Sequence, residues 1–267
     1  MLRFIRSLFA PGTPEQDLPA VPPGQRVYAI GDVHGRLDLF EVMVAAIEED
    51  DEAGGVADTT VILLGDLVDR GPDSAGVLRA AREWQQQRKV RILAGNHEEM
   101  FLNSFDNAEM LRHFLRHGGK QTILSFGVPR RILASTDLAE IQEAMRSHVP
   151  QADRDYMATF EDMIRIGDYV FVHAGIDPAV PLAEQRRSDL RWIREPFLSH
   201  AEAHGPVIVH GHTISEEPED RGNRIGIDTG AYGSGRLTAL VLEGTRRRYI
   251  EAVAVEGKVG AAPRAIG

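Results

Sequence analysis

The chain contains no cysteine. That excludes disulfides, thiolate metal ligands and cysteine nucleophiles in one step. Any metal must sit on His, Asp, Glu or Asn. Long apolar runs are missing as well. No segment approaches the roughly 18–20 apolar residues that cross a bilayer, and the N-terminal stretch MLRFIRSLFAPG lacks the apolar core of a secretory signal. A cytoplasmic location is the expectation. Positive charge is in deficit, with 30 basic side chains against 40 acidic and a net charge of −10. Long nucleic acid, which calls for a basic face, is therefore not the expected partner. An acidic chain can still bind an anion where metals and arginines reverse the local potential.

What is present is ordinary globular material: 43% hydrophobic and 26% charged residues in a chain of 267. That length suits one large domain, or one domain carrying an inserted cap. Residues 1–24 stand apart from it. Leu2, Ile5 and Phe9 share one helical face, with Arg3 and Arg6 elsewhere on the wheel. Such a segment could make a weak contact with a membrane surface or a partner, or could pack on the domain or stay disordered. APGTPEQDLPAVPPG follows, and its five prolines in fifteen residues make a linker.

From residue 25 strands and helices alternate. Strands are expected at 26–32, 60–66 and 89–96, with helices at 37–50 and 74–87 between them. This β-α-β-α-β order predicts a largely parallel sheet with right-handed crossovers. Residues from about 100 to 165 lack a strong strand signal and read as a helical insertion beside the sheet. Strands return at 169–175, 206–212, 224–230, 236–242 and 247–255, the last of them suggesting an antiparallel second sheet. Residues 25–255 form the main domain in this reading, and 256–267 a flexible tail.

The stretch VILLGDLVDRGP places two aspartates and an arginine at the end of a buried apolar run. Unpaired charge in such a place is costly, so these side chains need partners. Other strands end alike. AIGDVHG carries Asp32 and His34, LLGDLVDRG carries Asp66, Asp69 and Arg70, and LAGNHEE carries Asn96 and His97. FVHAG adds His173, and VHGHT adds His210 and His212. In open α/β sheets the C-terminal strand ends line the binding crevice. A lone strand-end Asp is usually a turn residue and a lone His usually a core residue. Repetition over five strand ends is explained economically by two mixed nitrogen–oxygen metal sites joined by a bridging carboxylate.

GDVHG, GDLVDRG, GNHE, HAG and GHT together resemble the signature series of the phosphoprotein phosphatases, within the calcineurin-like metallophosphoesterases. Their bacterial and phage branch, that of the bacteriophage lambda Ser/Thr protein phosphatase, is the most similar, over about Val27 to Leu242. The resemblance implies an α/β/β/α sandwich, with mixed central sheets flanked by helices and a di-metal site at the C-terminal strand ends. It implies that Asp32 and His34 bind the first metal and that Asp66 bridges to the second, which Asn96, His173 and His212 complete. His97, held by Asp69, would protonate the leaving group. Arg70 would grip the phosphate together with Asn96 and His97, and Arg194, from RWIRE, would be a second clamp. Arg36 and Tyr232 sit in matching loops without an assigned role.

The chemistry suits these residue types. Phosphate monoesters hydrolyse so slowly that enzymes accelerate them by up to roughly 10²¹. Two metals about 3.5–4 Å apart can hold a bridging hydroxide for direct attack. A positioned imidazole acid adds about 10²- to 10⁴-fold, and a planar guanidinium can grip two phosphate oxygens at once. An all-nitrogen-and-oxygen ligand set suits two Mn²⁺ ions, with iron or zinc also fitting. Ile214 stands where wider members of the superfamily carry another histidine, so the first metal should exchange more readily. His210 matches no ligand and reads as structural.

The expected activity is a protein phosphatase acting on phosphorylated Ser/Thr, and on Tyr as a further substrate, with no obligate partner. Its rival is a symmetrical dinucleoside tetraphosphate hydrolase. That family tends to lack Asp69 and to carry Asp at the position of Glu98, which favours the phosphatase. A non-catalytic scaffold would usually have lost ligands or the acid, and none is lost.

Overall fold

The computed structural model describes residues 18–255 and 258–264. The amphipathic segment at residues 2–9 lies outside the described residues. Two sheets form the centre of the fold. In the first, β1 (Gln25–Ile30), β2 (Asp58–Leu63) and β3 (Val90–Ile92) run parallel, joined by α1 (Leu37–Ala53) and α2 (Ser74–Gln87).

The period-two alternation of these strands divides the core. Tyr28, Ile30, Val61 and Leu63 pack with Leu39, Phe40, Met43, Val77 and Leu78 of the two helices. Val27, Ala29, Ile62 and Leu64 face the opposite way, into an apolar layer shared with Tyr169, Phe171, Val207, Val209 and Ile225. Each residue of β1 after Gln25 is buried, as expected for a central strand covered on both faces.

Residues 96–158 are helical, as α3 (Asn96–Ser104), α4 (Ala108–Arg116), α5 (Gly119–Ser125), α6 (Leu138–His148) and α7 (Gln151–Ala158). Phe101, Phe114, Ile123, Ile141 and Met145 join the helix-side core. The second sheet contains β4 (Met163–Ile166), β5 (Tyr169–Val172), β6 (Val207–His210), β7 (Glu219–Asp220) and β8 (Arg224–Gly226), in the order β4-β5-β6-β8-β7. The strands β5, β6 and β8 are parallel. On the outer face, Val170, Val172 and Ile208 pack with Phe197 and with Leu190 of α8 (Arg187–Trp192). The layers are therefore helix, sheet, sheet and helix, the sandwich expected.

Two strand expectations are corrected. After the short α9 (Ala231–Ser234), β9 (Arg236–Glu243) and β10 (Arg246–Val255) extend the first sheet instead of forming the second. The strand β9 lies antiparallel against β1, with Val27 opposite Leu242 and Ala29 opposite Leu240. Leu237, Ala239 and Val241 feed the helix-side core while Leu240 and Leu242 feed the layer between the sheets. A strand apolar on both faces belongs inside a two-sided sheet. The tail expected to be flexible contributes β11 (Lys258–Arg264), paired with β10 from Val255↔Lys258 to Tyr249↔Arg264. Its Gly, Ala and Pro residues have little strand propensity of their own. Pairing supplies the order, and Pro263 is tolerated because the strand lies at the sheet edge. Among the described residues no helix is long and apolar enough to cross a membrane.

Candidate metal centre

The C-terminal ends of β1, β2, β3, β5, β6 and β8 converge on one buried pocket. The link after β2 shapes it most. Asp66, Asp69 and Arg70 take positive φ values of 51°, 75° and 69°, a region disfavoured for residues with a Cβ. Glu98, 1% exposed, holds this strained loop. Its carboxylate accepts the backbone N–H groups of Gly95 (2.9 Å), Asp66 (2.9 Å), Leu67 (2.7 Å) and Val68 (3.3 Å). The side chain thus points into the fold, and contact with substrate is not how it would choose one. Gly95 is required by closeness: a Cβ there would lie 2.1 Å from Asp66 Oδ1.

Asp66 is the hub. Its oxygens lie 3.4 Å from His34 Nε2, 3.5 Å from His173 Nε2 and 3.9 Å from His97 Nε2. Two groups each gather possible metal-ligand atoms within 4.8 Å: His34, Asp66 and His97, and Asp66, His173 and His212. Asn96 Oδ1 lies 2.9 Å from both His173 Nε2 and His212 Nδ1. Asp32 belongs to neither group. Its carboxylate accepts the His212 N–H at 3.1 Å and stands close enough to Asp228 to feel its charge.

Hydrogen bonding sets the imidazole tautomers. His34 Nδ1 donates to Val68 O and His173 Nδ1 to Leu64 O, each at 2.8 Å. Each Nε2 is left with a lone pair facing Asp66, the arrangement that metal-ligating histidines use. The His173 Nε2 lone pair also faces the Asn96 carbonyl oxygen. Electron-pair donors directed at one another without a hydrogen between them fit a cation. The donors are all nitrogen and oxygen, a set that suits borderline and hard divalent ions.

The electrostatics agree. Burial alone would raise the Asp66 pKa, but His173, His97 and His34 outweigh it and hold the carboxyl well below its ordinary range. Burial pushes Asp32 well above that range, and Asp228 and Asp66 push the same way. Burial, then Asp66, lifts Asp228 to about 6. Burial lowers His34 and His173, and brings His212 down to about 3 with help from the His173 charge. Neutral imidazoles are the form a metal takes.

His97 differs. Burial opposes its charge, but Asp66 and the bond to Asp69 outweigh it and raise the pKa above the ordinary imidazole value. His97 Nδ1 donates to Asp69 Oδ2 at 2.6 Å. The Asp69 N–H donates to Thr122 Oγ1 at 2.8 Å and Ser74 Oγ at 3.0 Å, and the Thr122 hydroxyl donates back to Asp69 Oδ1. The helical insertion therefore reaches the dyad through α5. Arg70 donates to His34 Nε2 at 2.7 Å, and its other terminal nitrogen lies 2.9 Å from His97 Nε2. The exposed ring of Tyr232 stacks on its guanidinium at 4.6 Å.

Of the remaining sequence candidates, Arg194 is exposed and close enough for its charge to depress His212. Arg36 is committed to Asp38 and to the Ala231 carbonyl at 2.8 Å, which ties down the start of α9 beside Tyr232. His210 is buried against Phe197 and Arg224. The sequence reading missed Asp228, Thr122 and Ser74. Asp228 stands at the end of RIGIDTG, and its strand-end position was the available signal.

Comparison with known proteins places this geometry in a family. The calcineurin-like phosphoesterase pattern matches residues 25–232. The chain is 26% identical over 234 residues to bis(5'-nucleosyl)-tetraphosphatase PrpE [asymmetrical] of Anoxybacillus flavithermus, covering 79% of this chain and 88% of that one. It is 26% identical over 226 residues to serine/threonine-protein phosphatase 1 of Salmonella typhimurium, covering 80% and 90%. A crystal structure of a putative diadenosine tetraphosphatase superposes with a TM-score of 0.59 at 20% identity, over 94% of this chain and all of that one. With signature residues gathered round Asp66 and a match over most of its length, the chain belongs to the calcineurin-like phosphoesterases, metal-dependent enzymes that hydrolyse phosphate esters.

Proposed function

We propose that the chain is a protein phosphatase that removes phosphate from serine and threonine side chains with the help of two Mn²⁺ ions. The carrying observation is the His97–Asp69 dyad: an imidazole held at 2.6 Å by a buried carboxylate, with its Nε2 3.9 Å from Asp66. A serine or threonine alkoxide leaves phosphorus poorly and needs a proton delivered as it departs. A nucleotide phosphate leaving from an anhydride carries its charge comfortably and does not. A built-in acid is therefore best used on phosphomonoesters of alcohols.

In this proposal Asp32, His34 and Asp66 would hold the first cation, and Asp66, Asn96, His173 and His212 the second. Bound cations neutralise the phosphoryl oxygens and make a water nucleophilic at neutral pH. Arg70 turns from the two imidazoles to the phosphate oxygens, and Arg194 approaches from the rim. Asn96 and His97 complete the phosphate contacts. His97 Nε2 then delivers its proton to the leaving oxygen while Asp69 steadies the ring.

A second reading, a dinucleoside tetraphosphate hydrolase, is favoured by the names of two of the similar proteins and by the exposed Tyr232 ring at the mouth. Glu98, one of two residues that argued against it, is committed to the backbone and carries little weight either way. The deciding experiment measures phosphate release at saturating Mn²⁺ from a phosphoserine peptide, a phosphotyrosine peptide and diadenosine tetraphosphate, with wild type and His97→Asn. Rapid phosphoserine turnover, cut roughly 10²- to 10⁴-fold in the variant, is the expected result. Turnover confined to diadenosine tetraphosphate and spared in His97→Asn would refute it in favour of the second reading.

A further inference from the structure

We infer that Asp228 belongs to the cation pocket of Asp32 and that its charge and free carboxylate oxygen help to hold the cation there. This inference rests on the two-cation reading above and adds to it a residue outside the expected ligand set.

Register puts Asp228 in place. The strand β8 runs parallel to β6 with Gly226 beside His210, so the chain just beyond Gly226 emerges beside the segment that carries His212. The end of β1 presses against the same spot: a Cβ on Gly31 would lie 2.4 Å from Ile227 O and 3.5 Å from Asp228 Cα. Asp32, the next residue, and Asp228 are therefore neighbours, close enough for the Asp228 charge to act on Asp32. The Asp228 residue is fixed on two sides. Its Oδ1 accepts the Gly230 N–H at 2.9 Å, and its carbonyl accepts the Ser215 N–H at 3.0 Å. The side chain is 1% exposed, and Oδ2 is buried without a hydrogen-bond partner.

A buried carboxylate oxygen without a partner is costly, and a second carboxylate nearby makes it costlier. Asp66 adds a third negative charge to the same pocket. A shared proton would neutralise one charge and bridge the pair, but a divalent cation would neutralise two and engage the free Oδ2. The two explanations diverge under Asp228→Asn. An amide can replace a protonated carboxyl as a hydrogen-bond donor to Asp32 but cannot replace an ionised one beside a cation.

The test is titration of the metal-stripped full chain with Mn²⁺, following free Mn²⁺ by electron paramagnetic resonance, for wild type, Asp228→Asn and Asp228→Ser. Melting of each metal-free chain is recorded alongside. Wild type is expected to bind two ions. Both variants should bind one ion as before and the other roughly 10- to 100-fold more weakly, as when a supporting residue of a metal site is lost. Metal-free Asp228→Asn should melt no lower than wild type, because a like charge is removed. Unchanged binding of both ions in Asp228→Asn would overturn the inference in favour of a shared proton. Equal weakening at both sites with a lower metal-free melting temperature would overturn it in favour of a structural role. A wild-type chain that binds no Mn²⁺ would overturn the two-cation reading itself.

Discussion

His210 stands two residues from His212 but is expected to behave as its opposite, and the difference can be measured as stability. The His210 ring is 1% exposed, edge-on to Phe197 at 5.1 Å, with the Arg224 guanidinium donating to its Nε2 at 3.3 Å. Burial lowers its pKa to about 4, and the Arg224 charge adds to the effect. In the unfolded chain the imidazole titrates near 6.5. Between these values the unfolded state binds more protons, so stability falls as pH drops from 6.5 towards 4 and is fully present above 6.5. At about 1.4 kcal/mol per pKa unit, the gap corresponds to roughly 3 kcal/mol. For a chain of this size that is a melting shift of about 6–12 °C. Replacing His210 with Gln keeps an acceptor for Arg224 and removes the titration. The metal-free wild type and His210→Gln would be melted from pH 7.5 to 4.5 by calorimetry, because the other buried histidines contribute equally to both and cancel in the difference. The expected outcome is an acid slope shallower by that amount in His210→Gln, with Mn²⁺ affinity unchanged at neutral pH. Parallel slopes, or a loss of metal affinity, would refute the separation of His210 from the centre.

Three further outcomes follow from the same geometry. Asp69→Asn, which removes the carboxylate bonded to His97 Nδ1 and one of the two charges that raise its pKa, should lower phosphoserine turnover by roughly 10²- to 10⁴-fold and spare aryl phosphates with good leaving groups, as a leaving-group series would reveal. Glu98→Ala strands four backbone N–H groups of the strained loop, each worth about 1–3 kcal/mol when buried without a partner. Calorimetry should show a markedly lower melting temperature, and Glu98→Asp, too short to span both pairs, should do the same without redirecting substrate choice. Tyr232→Ala removes a ring stacked on Arg70, a contact of about 0.5–1 kcal/mol, so kcat/KM should fall only a few-fold, with melting unchanged.

Strand ends bearing Gly-Asp or Gly-Asn were legible because that local pattern repeats in successive β-α units, and Asp32, Asp66 and Asn96 all lie at the pocket. Sheet membership was not legible for β9 and β10. Alternation tells which face a side chain occupies but not which strand lies alongside. Thr122 escaped notice because it meets Asp69 across 53 positions, from a helix whose sequence carries no sign of the contact. Glu98 was visible, but its role was not. Its place in GNHEE is open to either the mouth of the site or a solvated helix face, and only the fold shows the carboxylate turned inward to the backbone of residues 66–68.

Backbone strain ties these observations together. Among the described residues, the non-glycine positions with positive φ are His34, Asp66, Asp69, Arg70 and His212. Each such conformation costs on the order of 1–3 kcal/mol and persists only where surroundings enforce it. Here they do: His34 N–H donates to Asp66 O at 2.8 Å, Arg70 N–H to Gly118 O at 3.1 Å, and the His212 N–H to Asp32. Glycine would relax every one of these positions and is absent from all five. Its absence implies that the imidazole, carboxylate and guanidinium groups are worth more to the molecule than the stability lost in placing them. That preference is what a site for chemistry requires and what a passive scaffold would have no reason to maintain.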